Sequence, residues 1–268
     1  MNTKNYFVHE SSYADDQPVY GSSTGDIDID LFNNIIEKKY KKALGELNID
    51  KELALVNLNL ACGGVLTLAG LLLLSKNRQH FRPLFSVQCV SVDGSDLSFI
   101  DNENTFDGTM SDVFEQTFAF IGRNMKKVPA GPGFNSQTKW EIPHEVFEEL
   151  LVNALVHRDY FITATTKVFV YADRVEIVNP GRLPNSITVE NIKNGISIPR
   201  NPTLVSLAQY TLPYKGLGTG IIRAFSLYPH IIIKNQVEEN QFKVIIKMPD
   251  GARVQGKVDS DGNKVHGE

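Results

Sequence analysis

The sequence is short of cysteine, of net charge and of long apolar runs, and each shortage removes a class of function. Only Cys62 and Cys89 occur among 268 residues. Two isolated thiols make neither a disulfide framework nor a cysteine-built zinc site, so a reducing cytoplasm is the expected setting. The formal charge is −4 and the pI is ≈ 5.9. A dedicated DNA-binding domain more often carries a basic footprint. Here the basic residues come in small groups, at Lys38, Lys39, Lys41 and Lys42, at Lys76, Arg78 and Arg82, and at Arg123, Lys126 and Lys127. Each group reads as a solvated face, and no tight DNA binding is expected from this chain alone. The most apolar stretch, 58–74, is broken by Asn59, Gly63, Gly64, Thr67 and Gly70. It is short for a membrane span and reads as a strand or turn leading into a buried helix. The first 20 residues are polar and acidic, unlike a secretion signal. No membrane partner is expected.

What is present suits a globular chain with a core: 42% of residues are hydrophobic and 22% charged. The expected fold is α/β (α+β) in two domains. Residues 1–130 form a smaller α+β unit. Residues 135–250 form a layer of helices on a mixed or antiparallel sheet. Ala130, Gly131, Pro132 and Gly133 supply the linker, and 251–268 is a tail. One helix should follow Asp26, Asp28 or Asp30 as cap and run to about Lys42; another should cover 114–121. Strands are expected near 165–171, 174–179, 230–235 and 242–248, with Ala172 and Asp173 as a turn. At Asn179-Pro180-Gly181 a ladder donor is lost and positive φ becomes accessible, so the chain should turn sharply there.

The run from Glu149 to Tyr160 follows a helical period. At about 100° per residue, Glu145, Glu149, Asn153 and His157 share one face, with Phe147, Leu150, Leu151, Ala154 and Leu155 opposite. Pro143 fits the first turn. From spacing alone, Glu149 and Asn153 read as the solvated side of an amphipathic helix. The glycine-rich turn 216–220, Gly-Leu-Gly-Thr-Gly, precedes a second apolar helical pattern. A helix bearing a carboxylate and a carboxamide, with a distant glycine-rich turn, is also what a nucleoside-triphosphate site with magnesium needs.

These segments, together with Asp173-Arg174-Val175-Glu176-Ile177-Val178-Asn179-Pro180-Gly181, Arg200-Asn201-Pro202 and Ile221-Ile222-Arg223, resemble one family over about 140–248. It is the RecG-like ATP-binding domain, a divergent relative of the Bergerat-fold (GHKL) ATPases. The stretch 67–76, Pro83, Val87 to Cys89 and Phe106-Asp107-Gly108-Thr109 resemble the region before it in Schlafen/AlbA-type transcriptional regulators. No helicase motor motif accompanies it, and the start of a Schlafen/AlbA-type domain is not recognisable upstream.

The resemblance implies ATP and Mg2+ as cofactors. It makes Glu149 the residue that activates water and Asn153 the magnesium ligand. Gly216, Gly218 and Gly220 would let backbone N–H groups approach phosphates, with Lys215 adding charge. Residues 184–214 would hold the position of a nucleotide lid. Asn179 and Gly181 stand where relatives carry an Asp-x-Gly-x-Gly box, whose Asp reads the adenine amino group. The departure implies weak or absent hydrolysis. The expected site is one cleft lined by Glu149, Asn153 and 216–220, with Asn179 at its deeper end. DNA contact is expected through an upstream domain or a partner, with the nucleotide domain modulating it; a working RecG-like ATPase on nucleic acid stays open, as do a homodimer and a degenerate fold kept for dimerisation or partner binding.

Overall fold

In the computed structural model, residues 13–125, 127–129, 138–184, 186–214 and 218–249 are described. The linker expected at 130–133, Lys215, Gly216 and the tail at 251–268 lie outside them. The chain runs α1 (Ile29–Tyr40), α2 (Lys51–Asn57), β1 (Ala61–Cys62), β2 (Val65–Leu66), α3 (Leu68–Leu74) and α4 (Arg78–Phe81). Next come β3 (Val87–Val92), β4 (Ile100–Phe106), α5 (Met110–Asn124), β5 (Lys127–Pro129), β6 (Thr138–Trp140) and α6 (His144–Val156). The remainder is β7 (Thr166–Val170), β8 (Arg174–Pro180), α7 (Val189–Lys193), α8 (Pro202–Leu207), α9 (Gly220–Leu227), β9 (Ile231–Gln236) and β10 (Gln241–Lys247).

Local chemistry explains the starts. Asp28 caps α1 by accepting from the N–H groups of Asp30 and Leu31. Thr67 caps α3, whose seven residues are all buried. The tight hairpin β1–β2 leads into it, so 58–74 is a turn feeding a core helix. Thr109 and Asp112 close a capping box on α5.

Six strands form one mixed sheet in the order β4-β3-β7-β8-β10-β9. Every ladder is antiparallel except β3–β7. That parallel pair has a consequence for the division expected at 130. β3 and β4 precede it and the other strands follow it, yet they share a sheet. One apolar cluster likewise holds Phe32, Leu72, Phe120, Phe147, Val168 and Ile246. The expected boundary therefore does not divide the core. The physical reason is that β7 needs a partner on the side away from β8, and β3 supplies it. Cys89, in the middle of β3, is fully buried, and burial pushes its thiol up to about 12.

Candidate functional site: a cleft between α6, α9 and the sheet

α6 differs from a simple amphipathic helix. Val152 and Val156 are buried as well as Phe147, Leu150 and Leu151, and Glu149 itself is only 6% exposed. The face read as solvated lies against α9. Gly220 allows this approach: a Cβ there would come within 2.2 Å of Glu149 Oε2 and 3.2 Å of Asn153 Nδ2. Burial of a carboxylate demands a counter-charge, and Arg223 of α9 supplies it through an ion pair to Glu149 Oε1.

The cleft has a volume of ≈ 130 Å³ and is lined by Glu149, Asn153, Asn179, Gly181, Gly218 and Gly220, among others. The structure thus brings together every expected site residue that it describes. Lys215 and Gly216 fall outside the described residues. Arg182, Arg200 and Arg223 also line the cleft.

Asn153 donates its Nδ2 to the backbone oxygen of Glu149 at 2.6 Å. Its Oδ1 accepts no hydrogen bond from a described residue and can ligate a hard cation. Among the described residues no cluster of His, Cys, Asp and Glu could hold a metal by itself. Magnesium would fit here as it does with few protein ligands, shared with phosphate oxygens. Thr219, at the N-cap of α9, makes no side-chain bond to the first turn, and Gly218 has φ 69. That helix start suits an anion.

Asn179 is less free than expected. Its Nδ2 donates to Ala154 O at 2.8 Å, and its Oδ1 accepts from Thr166 Oγ1 at 2.9 Å. One lone pair remains on Oδ1 to read a ligand amino group. β8 continues through Pro180, so the sharp turn falls at Gly181, with φ +94. A Cβ at Gly181 would sit 2.5 Å from that of Asp159.

The spacing of Glu149 and Asn153 gave no sign of several neighbours. Asp159 pairs with Arg200 at 3.4 Å, and Arg200 also donates to Arg182 O. His157 meets Tyr214 Oη at 3.3 Å. Burial, with the Arg200 guanidinium nearby, lowers His157 to about 4, so it is neutral at pH 7. Asn201 donates to Val156 O and Arg158 O at 2.9 and 2.8 Å, closing the end of α6. Arg158 is buried, donates to Ala164 O, and lies 4.9 Å from the Phe85 ring. The signal for Arg200 and Asn201 was their place in the Arg-Asn-Pro triplet. Nothing in the local pattern pointed from Glu149 to Arg223.

Among the described residues no helix is long and apolar enough to cross a membrane. No curated protein sequence matches the chain. By structure it is similar to the DIP2311 protein from Corynebacterium diphtheriae, with TM-score 0.67 and 18% identity. The match covers 90% of this chain and 48% of that one, so the chain spans about half its length; at this identity the likeness shows fold alone. Residues 164–246 match the family described as "Putative ATP-dependent DNA helicase recG C-terminal". The matched segment includes Asn179, Gly181, Gly218 and Gly220 and begins after α6. Over residues 164–246, then, the chain carries a domain similar to the RecG C-terminal, ATPase-like type.

Proposed function

We propose that the cleft binds a nucleoside triphosphate with Mg2+ as a regulatory ligand and hydrolyses it weakly or not at all. The chain would act as a transcriptional regulator, its cleft modulating DNA binding by another domain or a partner. The observation that carries the reading is the convergence of Glu149, Asn153, Asn179 and the start of α9 on one cleft. Asn153 Oδ1 would hold the cation, and the first turn of α9 would face the phosphates. When bound, the cation supplies charge neutralisation at those oxygens. Glu149 would be the base, but its Oε1 is paired with Arg223. A guanidinium paired to one carboxylate oxygen favours the charged form and so weakens the group as a base toward water. The same pair favours ligand binding without efficient turnover.

The test is binding of a fluorescent ATP analogue to this chain with and without Mg2+, followed by phosphate release. Saturable binding strengthened by Mg2+ is expected, and Asn153→Ala should remove the Mg2+-dependent part. No binding at millimolar nucleotide would sink the reading. Robust turnover abolished by Glu149→Ala would keep the nucleotide but overturn the regulatory assignment.

A further inference from the structure

The sheet has two faces, and the cleft uses one. Side chains alternate along a strand, so β8 turns Ile177 and Asn179 toward the cleft and Glu176 and Val178 away from it. On the far face the registers align Thr105, Gln88, Lys167, Val178, Lys243 and Lys234 in one row across the sheet. The adjoining row carries Glu103, Val90, Phe169, Glu176, Ile245 and Ile232. Beyond it lie Tyr171, Arg174 and Lys247.

This face has no helix layer of its own among the described residues. Val90, Val92 and Tyr171, with Phe169 against them, form a small cluster apart from the main core. Lys167, Lys234 and Lys247 are exposed and make no ion pair with a described residue. Lys243 stands directly opposite Lys234, and Lys247 opposite Arg174. Like charges in directly opposed positions oppose folding, so the arrangement calls for an anion. Glu176 answers part of that need, through Arg174 at 2.7 Å and Lys243 at 3.1 Å. The whole chain is net negative, so an acid-poor row of lysines is local to this face. Flat groups lie beside it: the Phe169 and Tyr171 rings stack at 5.9 Å and 27°. The Arg174 guanidinium covers Tyr171 at 3.8 Å.

We propose that this open sheet face binds single-stranded nucleic acid. Its phosphates would follow Lys167, Lys243, Lys234 and Lys247, and its bases would rest on Phe169 and on the Arg174 guanidinium that covers the buried Tyr171. A broad sheet face cannot enter a duplex groove, whereas unpaired bases can lie flat on it and stack. Glu103 and Glu176 share the face, so the affinity is modest and salt-sensitive. The proposal is independent of the nucleotide reading, because the two sites occupy opposite faces of β8 and β10.

The experiment is fluorescence anisotropy of the whole chain with labelled oligothymidylate of about 20 nucleotides, at about 50 and 200 mM salt. Micromolar binding is expected at the lower salt. The triple variant Lys167→Gln, Lys234→Gln, Lys247→Gln should weaken it by about tenfold or more and flatten the logarithmic salt slope by about 2. Its melting temperature should hold or rise, since two like-charge oppositions are relieved. Phe169→Leu should weaken binding with the salt slope unchanged. Absence of binding at the lower salt, or equal binding by the triple variant, overturns the proposal. Preference for duplex DNA, or equal binding of polyglutamate, also overturns it, the latter in favour of an acidic protein segment.

Discussion

Gly220 and His157 show how much of the cleft rests on single positions. At Gly220 a methyl group would land on the buried carboxylate of Glu149. Gly220→Ala should therefore displace Glu149 from Arg223 or lever α9 away from α6, at a cost of about 1–3 kcal/mol. Nucleotide-analogue binding should fall with it. Urea unfolding and titration with the fluorescent ATP analogue check the two halves separately, and a variant with wild-type values in both would refute the close contact. His157 sets a pH dependence. Its folded pKa is about 4 against an ordinary 6.5, so the unfolded chain takes the proton first. Its contribution is whole above pH 6.5 and is lost as pH falls toward 4. The slope from this residue is some fraction of ~1.4 kcal/mol per pH unit, because the ring is only partly enclosed. His157→Gln should flatten the stability profile in that window, measured as urea midpoints at successive pH values. An unchanged profile would mean that the ring is freely solvated.

At the level of elements, Asn201 joins two helices. It starts α8 and donates to two carbonyls at the end of α6. Asn201→Ala leaves both carbonyls without that donor in a fully buried place. A loss of about 2–3 kcal/mol is expected, read as a shift in urea midpoint with no change in slope. A cost below about half of the single-bond value would show that water replaces the amide. The elements also show what the residue pattern could reveal. The alternation in 166–170, 174–180, 231–236 and 241–247 is strong, and the strands lie within a residue or two of expectation. α6 was legible from its apolar period, and the buried helix in 58–74 from its glycines and threonine. The burial of Glu149 was not legible. It depends on Arg223 and Gly220, which reach α6 only through the tertiary fold. Asn179 was read as a ligand contact, but its bonds to Thr166 and Ala154 need β7 and α6 in place first. β3 and β4 were not read as members of the sheet. Their place rests on a parallel pairing with β7, and long-range pairing leaves no mark in a local window.

On the scale of the whole molecule, the shared sheet governs how the chain can be cut. A fragment of residues 138–249 keeps the RecG-like segment but loses β3, and with it the outer partner of β7. It also loses α1, α3 and α5 from the core. The fragment should show no cooperative thermal transition, whereas the whole chain should show one; a sharp melt of the fragment would prove it self-sufficient. The two thiols carry a last consequence. Cys62 is exposed and Cys89 is enclosed within β3, so a disulfide reagent in excess meets one open door and one closed one. The first thiol should react at once. The second should wait until β3 parts from its neighbours, because a protonated, enclosed thiol is a poor nucleophile. Its lag then times the opening of the sheet in native buffer, without any engineered label, and a nucleotide that tightens the cleft should lengthen it.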